Sequence, residues 1–247
     1  MERLASDLVA RGVRPDEESA PAVLEFGPGS ATTSVLVRLR RLGVGALELA
    51  RAVAVLGDGA ELRHATELSG IGLGQAVRAA DGLMAARVLE GGDPLRFVHP
   101  VVSAALNRER TEPERADTHR PAAELLLDEG APADRVAGQL LHARRDADPR
   151  AVEILCEAAR DAMAAVAPGF AVRLLRRALE EPPTGEQRAH VLLALGRAEG
   201  TAGEAGAGER LTGAVTLMRD PEKRAAAALA AGQCCWRTVA GATPRGR

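Results

Sequence analysis

Towards the C-terminal end of this 247-residue chain, three helix-start signals recur at a constant interval. Asp148-Pro149 sets a capping side chain before a proline of the first helical turn, and Asp220-Pro221 repeats that arrangement. Between them, Thr184-Gly-Glu-Gln187 has the spacing of a capping box, in which hydroxyl and side-chain amide each serve the other's backbone N–H. The caps stand at 148, 184 and 220, a step of 36. A unit of that size cannot bury its apolar face by itself, so repeated units must stack on one another.

Each unit has room for two helices. In the first, Val152, Leu155, Ala159 and Met163 share one face, Pro168-Gly169 reads as a turn, and Val172, Leu175 and Leu179 face back. Ala158, Ala159 and Gly196 are small enough for close helix contact. Paired helices with a period near ~34 residues define the tetratricopeptide class. The second unit reads as the weaker, because Gly200, Gly203, Gly206 and Gly208 dilute the helix that ought to pair. About two and a half repeats fit the remaining length, against the roughly three that such arrays need.

Composition agrees with helices throughout. The chain holds 50 Ala and 31 Arg with one Lys (Lys223), aromatic residues are 2% and Tyr is absent. At 46% hydrophobic it has material for a core of Ala, Leu and Val, which excludes a disordered chain and argues against an all-β one. The net charge of −2 lacks the basic footprint of a nucleic-acid-binding domain. No run approaches the ~18 apolar residues of a membrane span, and Met-Glu-Arg-Leu-Ala-Ser-Asp does not read as a secretory leader. Three cysteines, with Cys234 and Cys235 adjacent, make no disulfide framework, so a reduced, cytoplasmic protein is expected.

Upstream, residues 1–14 read as a short helix, a loop runs from Pro15 to about Ser34, and a second helix ends at Gly43. Three further helices follow: one from Ala46 to Leu56, one from Glu61 to Leu68 and one from Gln75 to about Ala86. Two short apolar runs then flank Glu90-Gly91-Gly92-Asp93, a hairpin signal. Three helices and a hairpin are the plan of a winged-helix domain. Thr111-Glu-Pro-Glu114 opens the next helix with capping-box spacing, and Pro132 opens a short one through Val136, Leu140 and Leu141.

Little in the chain points to catalysis. Gly27-Pro-Gly-Ser-Ala-Thr-Thr-Ser34 lacks the Lys and the leading strand of a phosphate loop and reads as an ordinary loop. Serine never occurs in a GxSxG context, metal-ligand spacings are missing, and no enzymatic activity is expected. His99 stands at the joint between hairpin and next helix, either as a capping or packing residue or as a contact to a nucleotide on a neighbouring domain. His119 and His142 read as surface or packing residues on helices, and His64 and His190 suggest nothing. The third helix offers Gln75, Arg78 and Asp81 and the hairpin tip is acidic, so the winged helix reads as a packing module that does not touch DNA.

Ala50-Arg-Ala-Val-Ala-Val-Leu-Gly-Asp-Gly59, Pro94-Leu-Arg-Phe-Val-His-Pro100 and Val172-Arg-Leu-Leu-Arg-Arg-Ala-Leu-Glu-Glu-Pro182 together resemble the middle of the large ATP-binding LuxR-type transcriptional regulators. Those proteins carry an AAA-like nucleotide-binding domain, a winged helix, tetratricopeptide repeats and a C-terminal helix-turn-helix. The resemblance runs from about Leu4 to Leu229 and includes neither the P-loop nor the helix-turn-helix. It implies that residues 1–43 are the remnant of an ATPase lid, and that His99 with Arg96 senses the diphosphate of ADP held by that ATPase. ATP or ADP belongs to the full-length family, and this chain is expected to hold no cofactor itself.

The expected fold is therefore all-α: a winged-helix domain with one hairpin (44–110), a tetratricopeptide-like superhelix (111–236) and a disordered tail (237–247). Its expected role is regulatory, coupling nucleotide state to DNA binding elsewhere in the assembly. The repeats would bind the missing ATPase domain, a partner protein or a small-molecule inducer. The alternative is a free-standing scaffold whose repeats bind a partner without any nucleotide.

Overall fold

Alanine and leucine at helical spacing build almost every element of the structure, a computed structural model that describes residues 36–57 and 59–241. The helix expected over 1–14 lies outside these residues. The fold is all-α with a single two-stranded antiparallel hairpin among the described residues. Contacts divide the chain between Thr111 and Glu112 into two compact units.

In the first unit, a helical segment over 36–41 leads to α1 (Val44–Leu56), α2 (Leu62–Ser69) and α3 (Leu73–Ala85). The short strands β1 (Leu89–Glu90) and β2 (Arg96–Phe97) follow, then α4 (Pro100–Arg108). This is the helix–helix–helix–hairpin order of a winged helix. The α1 helix is buried on nearly every side, because α2, α3 and α4 all pack on it. Leu49 and Val53 are fully buried there, and Leu83, Leu95 and Leu106 are buried on the elements around them. Gly57 stops α1 at a φ of +80° and a ψ of −167°, a region open essentially to glycine alone. The hairpin pairs Leu89 with Phe97 and Glu90 with Arg96. Its root is tied down where the Leu95 N–H donates to the Ala60 carbonyl at 2.7 Å.

The second unit holds α5 (Glu112–Asp128), α6 (Ala133–Leu140), α7 (Pro149–Ala164), α8 (Pro168–Leu179), α9 (Gly185–Ala202), α10 (Ala207–Leu217) and α11 (Pro221–Gly241). Each packs on the next, so the helices form a stack of consecutive pairs. The helices α7, α9 and α11 begin at positions 149, 185 and 221, which carries the 36-residue step into three dimensions. Val152, Leu155 and Ala159 of α7 join Val172, Leu175 and Ala178 of α8 in one continuous core.

Several local expectations are corrected. Pro168 and Gly169 are the first residues of α8, and the turn before them is made at Val166, whose φ is +58°. A proline fits the first helical turn because its missing N–H would have no helical acceptor there. Asp148 caps α7 by accepting the Arg150 N–H at 2.9 Å, and Asp220 caps α11 by accepting that of Glu222 at 2.9 Å. Thr184 makes no capping hydrogen bond, so the box does not close. Gln187, its intended partner, donates instead to the Pro149 carbonyl one repeat earlier, at 3.3 Å.

Of the four glycines of the second repeat, Gly200 and Gly208 lie within α9 and α10 and two stand between these helices. Gly203 and Gly206 take left-handed conformations that end α9 and start α10, where glycine is the favoured residue. Gly196 lets α10 approach so closely that a Cβ there would stand 2.7 Å from Leu211 Cγ and 3.0 Å from the Ala207 carbonyl oxygen. The helix α11 also continues to Gly241, past the expected start of a tail at 237. Its alanine-rich sequence has the highest intrinsic helix propensity, so losing the repeat pattern does not end the helix.

Candidate functional site

The residues singled out by resemblance lie in the first unit. Arg96 is exposed on β2 opposite Glu90, where the two side chains of opposite charge are cross-strand neighbours. His99 is exposed at the N-cap of α4, and its side chain makes no capping hydrogen bond while its carbonyl accepts the Val102 N–H at 3.0 Å. On α3 the solvent side carries Gln75, Arg78 and Asp81, together with Leu73 (63% exposed) and Val77 (42%).

Polar chemistry converges in the second unit instead. It begins with Pro121, inside α5. A proline in a helix interior has no N–H for the carbonyl four residues back, and its ring pushes on that turn. Just N-terminal to Pro121, the Ala116 carbonyl accepts the Arg144 N–H at 3.4 Å, and the Asp117 carboxylate takes the Arg144 guanidinium at 3.0 Å. The segment 141–148, between α6 and α7, is thereby docked along α5.

From the other side the same connector is gripped by α8. The Arg177 guanidinium, 6% exposed, donates to the carbonyls of Leu140 (3.0 Å), Ala143 (3.1 Å) and Arg144 (3.4 Å). One turn on, the Glu181 carboxylate, 2% exposed, accepts the N–H groups of Asp146 (3.0 Å) and Asp148 (3.3 Å). Arg177 and Glu181 close the arrangement with a 2.7 Å ion pair. The cation meets the last carbonyl of α6 and two carbonyls of the connector, and the anion meets two connector amides at the approach to α7. Burial works to raise the Glu181 pKa, but the Asp146 amide, Arg177 and the Asp148 amide outweigh it and hold the carboxyl below its usual range.

Between α5, the connector and α8 lies an open cavity of about 430 Å³. Arg115 and His119 line it from α5, His142, Arg144 and Arg145 from the connector, and Arg177 and Glu180 from α8. The two imidazoles stand 5.1 Å apart, tilted by 36°. The buried Gln139 amide oxygen is 2.8 Å from His119 Nδ1, an arrangement that orients the ring. Burial, with the charges of Arg173 and Arg115 added, holds His142 below its usual value.

Read as surface or packing residues, His119 and His142 turn out to form one wall of this cavity. Arg177 and Glu181, four residues apart as solvated helix pairs commonly are, are buried. Among the described residues no three His, Cys, Asp or Glu side chains are placed to hold a metal ion. Nor is any described helix long and apolar enough to cross a membrane. No protein-family model, curated protein or solved structure matches this chain.

Proposed function

We propose that this chain is the regulatory segment of an ATP-dependent, LuxR-type transcriptional regulator. It would couple nucleotide state and the binding of an inducer or partner to DNA binding elsewhere in the assembly. The observation that carries the reading is the order of parts: three helices, a two-stranded hairpin, and then helix pairs beginning every 36 residues. In that role the winged helix contacts an ATPase domain through His99 and Arg96 and the repeats receive the signal. The work would be done in the cytoplasm, on no cofactor of the chain's own and with no catalytic step.

A DNA-reading role for this winged helix finds little support. Its third helix presents Leu73 and Val77 to solvent, and Glu90 and Asp93 are exposed in the hairpin. Phosphate contacts need clustered Lys and Arg. The same exposed apolar side chains favour the second reading, a scaffold that binds a partner protein without any nucleotide.

Reading the coding DNA on both sides tests the regulatory proposal. A P-loop upstream and a helix-turn-helix downstream support it, and flanks that hold neither, in any frame, refute it. The encoded ATPase domain, loaded with ADP, should then bind this chain, and His99→Ala should weaken that binding at least tenfold. Binding that ignores both ADP and His99 leaves the scaffold. A salt-dependent mobility shift of DNA by the chain alone would overturn the reading of the winged helix.

A further inference from the structure

We propose that the cavity between α5, the 141–148 connector and α8 binds a small-molecule oxyanion, a phosphate or a carboxylate, between its imidazole pair and its guanidinium groups. The proposal holds for a regulator and for a scaffold alike, because it stands on the second unit alone.

Three observations carry it. The first is size: at about 430 Å³ the cavity falls within the range of ordinary ligand sites. The second is charge. Arg115, Arg144, Arg145 and Arg177 line it against Glu112 and Glu180, and guanidinium groups are suited to oxyanions by their fork of N–H donors. Part of that charge is already matched, since Arg145 pairs with Glu180 at 2.9 Å and Arg144 with Asp117 at 3.0 Å. Arg177 retains a buried Nη1 that has no hydrogen-bond partner among the described residues.

The third is the pair of imidazoles, of which His142 can gain charge as an anion arrives. Gln139 holds His119, and the neighbouring His142 faces more cations than anions across the elements that pack against it. Arg115 and Glu112 come from α5, Arg144 and Arg145 from the connector, and Arg173, Arg177 and Glu180 from α8. An empty cavity therefore disfavours a proton on His142, and a bound anion reverses the balance. Binding should take up a proton and tighten as pH falls from 7.5 to 6, by up to about tenfold per pH unit. A metal ion would need ligands that the cavity does not assemble.

Calorimetric titration of the full chain at low ionic strength, with inorganic phosphate and with succinate as separate arms, tests the site. Imidazole resonances of His119 and His142 are followed in parallel, with His64, His99 and His190 as internal references. Saturation by phosphate alone assigns a phosphoryl ligand, by succinate alone a carboxylate, and by both a general oxyanion site. In each case His119 and His142 shift while the reference imidazoles stay. His142→Ala, on the open cavity wall, should weaken binding severalfold and flatten its pH dependence. No saturation by either anion at tens of millimolar overturns the proposal. Binding that leaves both resonances unmoved, or that is identical in His142→Ala, overturns it equally.

Discussion

Replacing Glu181 by Gln isolates the clamp on the 141–148 connector. The carboxylate accepts two backbone N–H groups, from Asp146 and Asp148, and neutralises the Arg177 guanidinium at 2.7 Å. The amide of glutamine keeps the shape and one acceptor oxygen. Both backbone amides donate to Oε2, so that one oxygen can hold them, but charge-assisted bonds worth about 1.5–3 kcal/mol become neutral ones worth about 0.5–1.5 kcal/mol. The substitution also leaves Arg177 buried beside no opposite charge; breaking such a pair costs about 3–5 kcal/mol. These losses overlap, since Arg177 keeps its three carbonyls, and we expect a net destabilisation of about 3 kcal/mol. Two assays read it: urea unfolding of the full chain, and hydrogen exchange of peptides spanning 141–148. At about 1.4 kcal/mol per tenfold, the Asp146 and Asp148 amides should exchange roughly 100-fold faster.

The pH dependence supplies a second reading of the same variant. Glu181 titrates lower folded than its usual value of 4.5, so the unfolded chain takes up its proton first as pH falls. The clamp's contribution is complete above about pH 4.5 and is lost as pH drops through the folded value. The stability gap between the wild type and Glu181→Gln should therefore narrow below that pH. A gap under about 0.5 kcal/mol at pH 7, or one that does not change with acid, would refute the clamp as a contributor to stability.

Four other substitutions or modifications follow from local geometry. Gly196→Ala forces a Cβ against Leu211 and the Ala207 carbonyl, so melting should report a loss of about 1–3 kcal/mol. Gly138→Ala, with nothing within 4 Å, should instead gain about 0.5–1 kcal/mol. Val166 is a β-branched residue at φ +58° and 85% exposed, and Val166→Gly should raise stability by about 1 kcal/mol in the same assay. Burial pushes the Cys156 thiol up to about 11. Its thiolate at pH 8 is then about 100-fold scarcer than in the unfolded chain, and alkylation followed by peptide mass spectrometry should slow to match.

The stacked half of the fold was legible because its signals are local. Asp-Pro pairs, an i, i+3, i+4 face and small residues at close contacts all fall within one window of sequence. The Thr184 box had the right spacing, yet Gln187 found a better acceptor at Pro149, and no window of four residues contains that competitor. Arg177 and Glu181 are four apart, the spacing of any solvated helix pair. What buries them is the backbone of residues 140–148, more than thirty positions away. The imidazole pair joins α5 to the connector and has no local trace at all. Pro121 is visible in the sequence, but it lies off the face of α5, at Glu112, Arg115, Ala116 and His119, that lines the cavity.

Arg144 and Arg145 lie side by side in a segment without helix or strand, in principle a target for a trypsin-like protease. To be cut, the chain must enter the enzyme's cleft in extended form. Here that would mean releasing the Leu140, Ala143 and Arg144 carbonyls from Arg177 and the Asp146 and Asp148 amides from Glu181 together. The connector has the composition of a linker and the fastenings of a core element. A protease would meet it as part of the folded body, opened only when the helix pairs on either side come apart.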